Sequence, residues 1–135
     1  MSYQFAIELP VRWKDIDNAG VLNNAVYLTL LEQARFAYFY ELGLVREDGN
    51  FPFLVGETSI RFLKPGAAGM TLRVRAGVQR LGNKSFDMAY EVCHGDDVLA
   101  TAAATLVWID DSLQSMVIPD TARHKIADLE GIPSR

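Results

Sequence analysis

Apolar residues stand at every second position from Tyr3 through Phe5, Ile7, Leu9 and Val11 to Trp13, with Gln4, Glu8, Arg12 and Lys14 among the residues between them. That two-residue period predicts a first strand over residues 3–13. Residues 15–24, DIDNAGVLNN, hold the Asp, Asn and Gly residues that leave a strand and start a turn. The period then changes. From an N-cap at Asn23 or Asn24 to Gly43 the chain has no internal Pro or Gly, which predicts one long helix ending at a glycine. Leu28, Leu30, Leu31, Ala34, Phe36, Ala37 and Phe39 cover more than one stripe of it, so this helix should be enclosed by other structure.

A polar connection over residues 44–50 leads into four strand-like runs, 51–64, 70–80, 84–93 and 98–109. They are separated by turn-forming segments at 65–69, 81–83 and 94–97. The short separations predict antiparallel neighbours, and the alternation of Leu72, Val74, Ala76 and Val78 with Thr71, Arg73, Arg75 and Gly77 predicts a sheet buried on one face. After Ile118-Pro119, a short helix capped at Asp120 or Thr121 should end near Gly131. The order is one strand, one long helix and a four-strand antiparallel meander. This is an α+β chain whose curved five-stranded sheet wraps the long helix, with Ala-rich LATAAATLVW permitting close approach. An exposed sheet edge would be covered by a second copy pairing edge to edge.

Composition narrows the function. A chain of 135 residues, half of them hydrophobic, makes a single domain over 1–135. The net charge is −4 and the 13 Lys and Arg are scattered, so nucleic acid is not an expected partner. No apolar stretch approaches the ~20 residues of a membrane helix. A single cysteine, Cys93, and no recognisable leader point to a soluble protein of the reducing cytoplasm. His94 and His124 lack ligands at metal spacing, Cys93 has no CxxC partner, and no glycine-rich phosphate loop exists. Neither a metal nor a cofactor is expected.

The chemistry concentrates at residues 12–35, where two carboxylates and a glycine turn precede the helix. A helix start leaves backbone N–H groups unpaired and carries partial positive charge, so it can polarise a carbonyl and hold the oxyanion formed from it. A carboxylate just upstream can activate water or attack directly. The same Asp-x-Asp pattern also serves as an ordinary capping and turn device.

The pattern DxDxxGxxxNxxYLxxxExAR, carried here by Asp15, Asp17, Gly20, Asn24, Tyr27, Leu28, Glu32, Ala34 and Arg35, resembles the signature of the hot-dog thioesterases related to 4-hydroxybenzoyl-CoA thioesterase. The resemblance runs over residues 3–118. It implies a hot-dog fold and hydrolysis of acyl-CoA to a free acid and CoA. Asp17 would then be the catalytic base or nucleophile, and the Asn24 backbone N–H would face the thioester carbonyl. Asp15 falls at a more structural position. Many members carry His after the glycine, whereas this chain reads Val21-Leu22, so no imidazole is offered there. Gly20, Val21 and Tyr27 are candidate substrate contacts, although packing also accounts for Tyr27. Arg80, Lys84 and Ser85, with Arg61 and Lys64, are candidates for the nucleotide phosphates, and ordinary solvated turn charges are the alternative. Glu32 and Arg35 would form a buried, compensated ion pair that supports the active-site loop. The resemblance further implies a homo-oligomer, a dimer or a tetramer, with sites shared between subunits. Acyl carrier protein in place of CoA, a non-catalytic acyl-binding module and a dehydratase are the rival readings. The last would need a histidine in the loop before the helix.

Overall fold

The computed structural model describes residues 2–134. Strand β1 spans Phe5–Pro10 and is shorter than its alternation predicts. Pro10 offers no N–H to extend a ladder, and the chain turns into a single 3-10 turn, Trp13–Asp15. Helix α1 spans Val26–Glu41. Strands β2 (Phe53–Phe62), β3 (Thr71–Leu81), β4 (Ser85–His94) and β5 (Asp97–Trp108) follow, and helix α2 (Asp120–Glu130) ends at Gly131. The sheet is antiparallel throughout, in the order β1-β3-β4-β5-β2.

That order corrects the four-strand meander. Only β3, β4 and β5 form one. Strand β2 pairs with β5 at the far edge, with Phe53 opposite Trp108 and Phe62 opposite Ala100. Residues 63–70 therefore carry the chain across the end of the sheet rather than around a hairpin. Three strand spacings are about 14 Å, well within reach of that connection at about 3.3 Å per residue. Hairpins join β3 to β4, where Leu81 pairs with Phe86, and β4 to β5, where His94 pairs with Asp97 and Gly95 takes a φ of 58°, the left-handed geometry of a two-residue turn.

Helix α1 buries Tyr27, Leu30, Leu31, Ala34, Arg35, Tyr38 and Phe39 against the curled sheet. Small residues of β5 at Ala100 and Ala104 are buried in the same core. Phe39 stacks among Phe53, Phe86 and Trp108, with ring centroids 4.7, 5.5 and 6.3 Å away. The helix is not enclosed on all sides: Leu28 is 53% and Tyr40 74% exposed. Two polar locks fix the C-terminal helix. Glu130 Oε2 accepts the Tyr38 hydroxyl at 2.6 Å and the Val78 N–H at 2.8 Å; burial, and then the neighbouring Glu130 carboxylate, push the Tyr38 phenol far above its ordinary pKa. Arg123, buried, donates to the carbonyls of Gly82, Asn83, Ile118 and Ser134.

Candidate active site

The loop before α1 is built by backbone pairing on a buried carboxylate. Asp15 accepts the Arg12 N–H at 2.9 Å and its guanidinium at 3.0 and 3.2 Å. These hydrogen bonds hold the Asp15 carboxyl below the usual aspartate range. The Asp15 carbonyl accepts the Asn23 N–H, and the Asp17 N–H donates to Val21, so residues 15–17 and 21–23 form a small antiparallel ladder. Gly20, with φ 80°, closes it where a side chain would be strained. Leu22 N–H then donates to Gly66 and ties the loop to the β2–β3 connection.

Asp17 is exposed on this turn. Its Oδ1 accepts the Ala19 N–H at 2.8 Å and the Val21 N–H at 3.4 Å, which leaves Oδ2 without a hydrogen bond among the described residues. The N-cap of α1 is Ala25 and carries no side-chain cap, rather than the expected Asn23 or Asn24; Asn23 instead braces the turn before the helix, its side chain accepting the Ala25 N–H at 2.9 Å and its carbonyl the Val26 N–H. The Asn24 carbonyl accepts from Tyr27. From residue 19 to residue 27 every backbone N–H has an acceptor among the described residues except that of Asn24.

Asn24 opens onto a cleft of about 260 Å³ lined also by Val21, Leu22, Tyr27, Phe62, Leu63, Lys64 and Pro65. Tyr27 meets Phe62 edge to face at 5.0 Å. The cleft thus gathers Val21, Asn24 and Tyr27 with Lys64, whose ammonium pairs with Asp97 at 2.7 Å. Phe62, Leu63 and Pro65 were not anticipated as site residues. Their signal in the sequence is an apolar pair at the end of a strand, broken by Pro65, which on its own reads as core.

Arg80, Lys84 and Ser85 are elsewhere. They sit at the β3–β4 turn, at the other end of a sheet about 30 Å long by strand rise. Arg80 is already engaged by Asp87 at 2.7 Å and by Ser85 Oγ at 3.1 Å. Arg61 lies exposed on the edge strand. The expected Glu32–Arg35 pair does not form within the chain. Glu32 is exposed, while Arg35 is buried and donates to the Tyr90 hydroxyl at 3.1 Å. The two residues are three apart on α1, but the Arg35 side chain turns inward to the sheet and the Glu32 side chain stays in solvent, where its charge is hydrated.

A curled antiparallel sheet packed on a helix whose start opens into a cleft is the hot-dog architecture, and the class it defines here is a thioester hydrolase. The chain belongs to the Thioesterase-like superfamily, whose family model matches residues 11–126. Among its relatives is a chloroplastic acyl-acyl carrier protein thioesterase of Arabidopsis thaliana, 27% identical over 93% of this chain and 68% of that protein. A 1,4-dihydroxy-2-naphthoyl-CoA hydrolase of Nostoc punctiforme is 30% identical over 86% of this chain and 82% of its own length. A crystal structure of a thioesterase from Thermus thermophilus, complexed with coenzyme A and Zn, superposes with a TM-score of 0.86 at 30% identity, covering 97% of this chain and 98% of that one. Among the described residues of the present chain, no three His, Cys, Asp or Glu side chains cluster as metal ligands would. No helix is long and apolar enough to cross a membrane.

Proposed function

We propose that the chain hydrolyses acyl-CoA thioesters, with Asp17 as general base or nucleophile and the Asn24 N–H polarising the thioester carbonyl. The observation that carries this reading is the amide of Asn24, which has no acceptor among the described residues and belongs to a residue lining a largely apolar cleft. Such a donor is satisfied only when an oxygen arrives, and it bonds best to the oxyanion of a tetrahedral intermediate. Asp17 is held by the N–H of Val21, which itself lines the cleft. As base, its carboxylate takes a proton from water while the water oxygen attacks the acyl carbon. Collapse of the oxyanion then breaks the C–S bond, and the thiolate leaves and is protonated. As nucleophile, the Asp17 carboxylate attacks the acyl carbon, the C–S bond breaks and the thiolate leaves and is protonated, and water then opens the mixed anhydride to the free acid and the Asp17 carboxylate.

The cleft is open and smaller than the ~300 Å³ at which ligand pockets usually begin. A homodimer that pairs β2 with β2 of a second copy would deepen it, and two dimers would make a tetramer. The same two-fold would bring the partner subunit's β3–β4 turn closer to this end of the sheet, giving Arg80, Lys84 and Ser85 a route to the nucleotide that one chain denies them. Acyl carrier protein is the second reading, favoured by the plant relative. Gly20 would serve through its backbone, while Val21 and Tyr27 would contact the acyl group.

The deciding assay is thiol release from aliphatic and aromatic acyl-CoAs and from acyl carrier protein thioesters. Asp17→Asn should retain the fold and CoA binding and lose turnover by about 10²-fold or more. Wild-type rates in that variant would remove Asp17 from the chemistry. Binding without release in the wild-type protein would make the chain a non-catalytic module.

A further inference from the structure

The buried guanidinium of Arg35 lacks a countercharge. It is 6% exposed, its Nη1 bonds Tyr90, and its Nε is buried with no hydrogen-bond partner. No carboxylate lies within ion-pair distance of it among the described residues. A buried charge left in this state costs several kcal/mol on general grounds, so the isolated chain is an incomplete description of this position. One turn back, Glu32 is exposed and makes no hydrogen bond or ion pair among the described residues.

Leu28, Glu32, Arg35 and Phe39 recur at four, three and four residues and therefore form one stripe along α1. Two contacts set the direction of α1 along β2. Phe39 packs on Phe53 at the start of β2, and Tyr27 on Phe62 at its end, so α1 runs antiparallel to β2. Strand β2 is an unpaired edge, and Leu54, Val55 and Phe62 on it are exposed. A two-fold axis through the centre of β2 pairs its whole length with a second copy. The centre of β2 lies level with residue 33 of α1, midway between Tyr27 and Phe39. Under that axis Glu32 comes level with the partner subunit's Ala34, about 1.5 Å of helix rise from the partner subunit's Arg35.

We propose that Glu32 of each copy neutralises the partner subunit's Arg35, so that two equivalent ion pairs across the dyad complete the α1–β2 seam. This rests on the dimer named above and adds its partner-supplied residue. The occupant of the seam is a second copy rather than another protein, because the symmetry delivers an unpaired carboxylate to an unpaired guanidinium twice over. The pair also acts as a register lock: sliding β2 by two residues would separate the charges by a strand repeat of about 6.6 Å and leave both buried arginines unmatched.

The test separates the pair from the dimer. Sedimentation equilibrium on the wild-type chain should show a dimer, and Glu32→Arg should weaken it by about 30-fold or more. Mixing Glu32→Arg with Arg35→Glu should give a one-to-one heterodimer by native mass spectrometry, since each repels itself and both pairs are restored between them. A wild-type dimer with Glu32→Arg dimerising equally well, or with statistical mixing, overturns the pair and leaves the dimer standing. A wild-type monomer at all concentrations overturns both. Should circular dichroism show that Arg35→Glu does not fold, Arg35→Met takes its place in a double-mutant cycle with Glu32→Gln. Coupling of about tenfold or more in the dissociation constant supports the pair, and independence overturns it.

Discussion

At the scale of single residues, the amide of Asn24 can be separated from its side chain by substitution. The Asn24 side chain makes no hydrogen bond among the described residues, so Asn24→Ala removes nothing that the loop uses. Asn24→Pro removes the one N–H in residues 19–27 that has no acceptor among the described residues. Proline is tolerated at a helix start, where the missing N–H is not part of the helical ladder. Thiol-release kinetics should therefore show Asn24→Ala within about threefold of wild type and Asn24→Pro lower by about 10²–10³, the usual cost of an oxyanion donor. Thermal melts of the two variants should stay close together, and equal activity in both would mean that the amide takes no part.

Elements were legible from the sequence where one local rule governs them, and illegible where a partner far along the chain decides. The ends of α1 and α2 were readable from Gly43 and Gly131, because a left-handed glycine stop is local chemistry, whereas the start of α1 falls at Ala25 rather than at Asn23 or Asn24. The placement of β2 was not readable. Its alternation fits either edge of a meander, and only the pairing of Phe53 with Trp108, residues 55 apart, assigns it to β5. In the same way, the sequence paired Glu32 with Arg35 by proximity, whereas the fold bonds Arg35 to Tyr90. The cleft was half readable: Val21, Asn24 and Tyr27 come from one segment, but Phe62 and Pro65 arrive through the unforeseen crossing of the β2–β3 connection. Glu130 is another residue whose role only the fold reveals. It reads as the exposed end of a short helix, yet it joins the Tyr38 hydroxyl to the Val78 amide. Glu130→Ala leaves both buried donors unmatched and should destabilise the chain by about 2–4 kcal/mol in urea unfolding, while Tyr38→Phe, which removes one donor, should cost about 1. Coupling between the two substitutions would show that they act through one hydrogen bond.

At the scale of the molecule, one chain holds the parts of a thioesterase without closing them around a substrate. The unbonded amide and the apolar cleft are at one end of the sheet, and the basic β3–β4 turn is at the other. Between them runs a bare edge where Leu54 is 48% and Val55 44% exposed. An edge strand with exposed apolar residues is a surface that folded proteins cover. If a second copy covers it, activity depends on an interface that touches no reacting atom. Leu54→Lys with Val55→Lys adds like charges to both sides of the proposed dyad, at the end of β2 away from Asp17 and Asn24 of the same chain, so it should leave circular dichroism unchanged while converting the dimer to monomer in sedimentation. Thiol release should fall with the dimer fraction and recover as protein concentration rises, because mass action restores the dimer. Full activity in a monomeric variant would instead mean that the cleft of a single chain suffices, and that its openness lets large acyl groups enter.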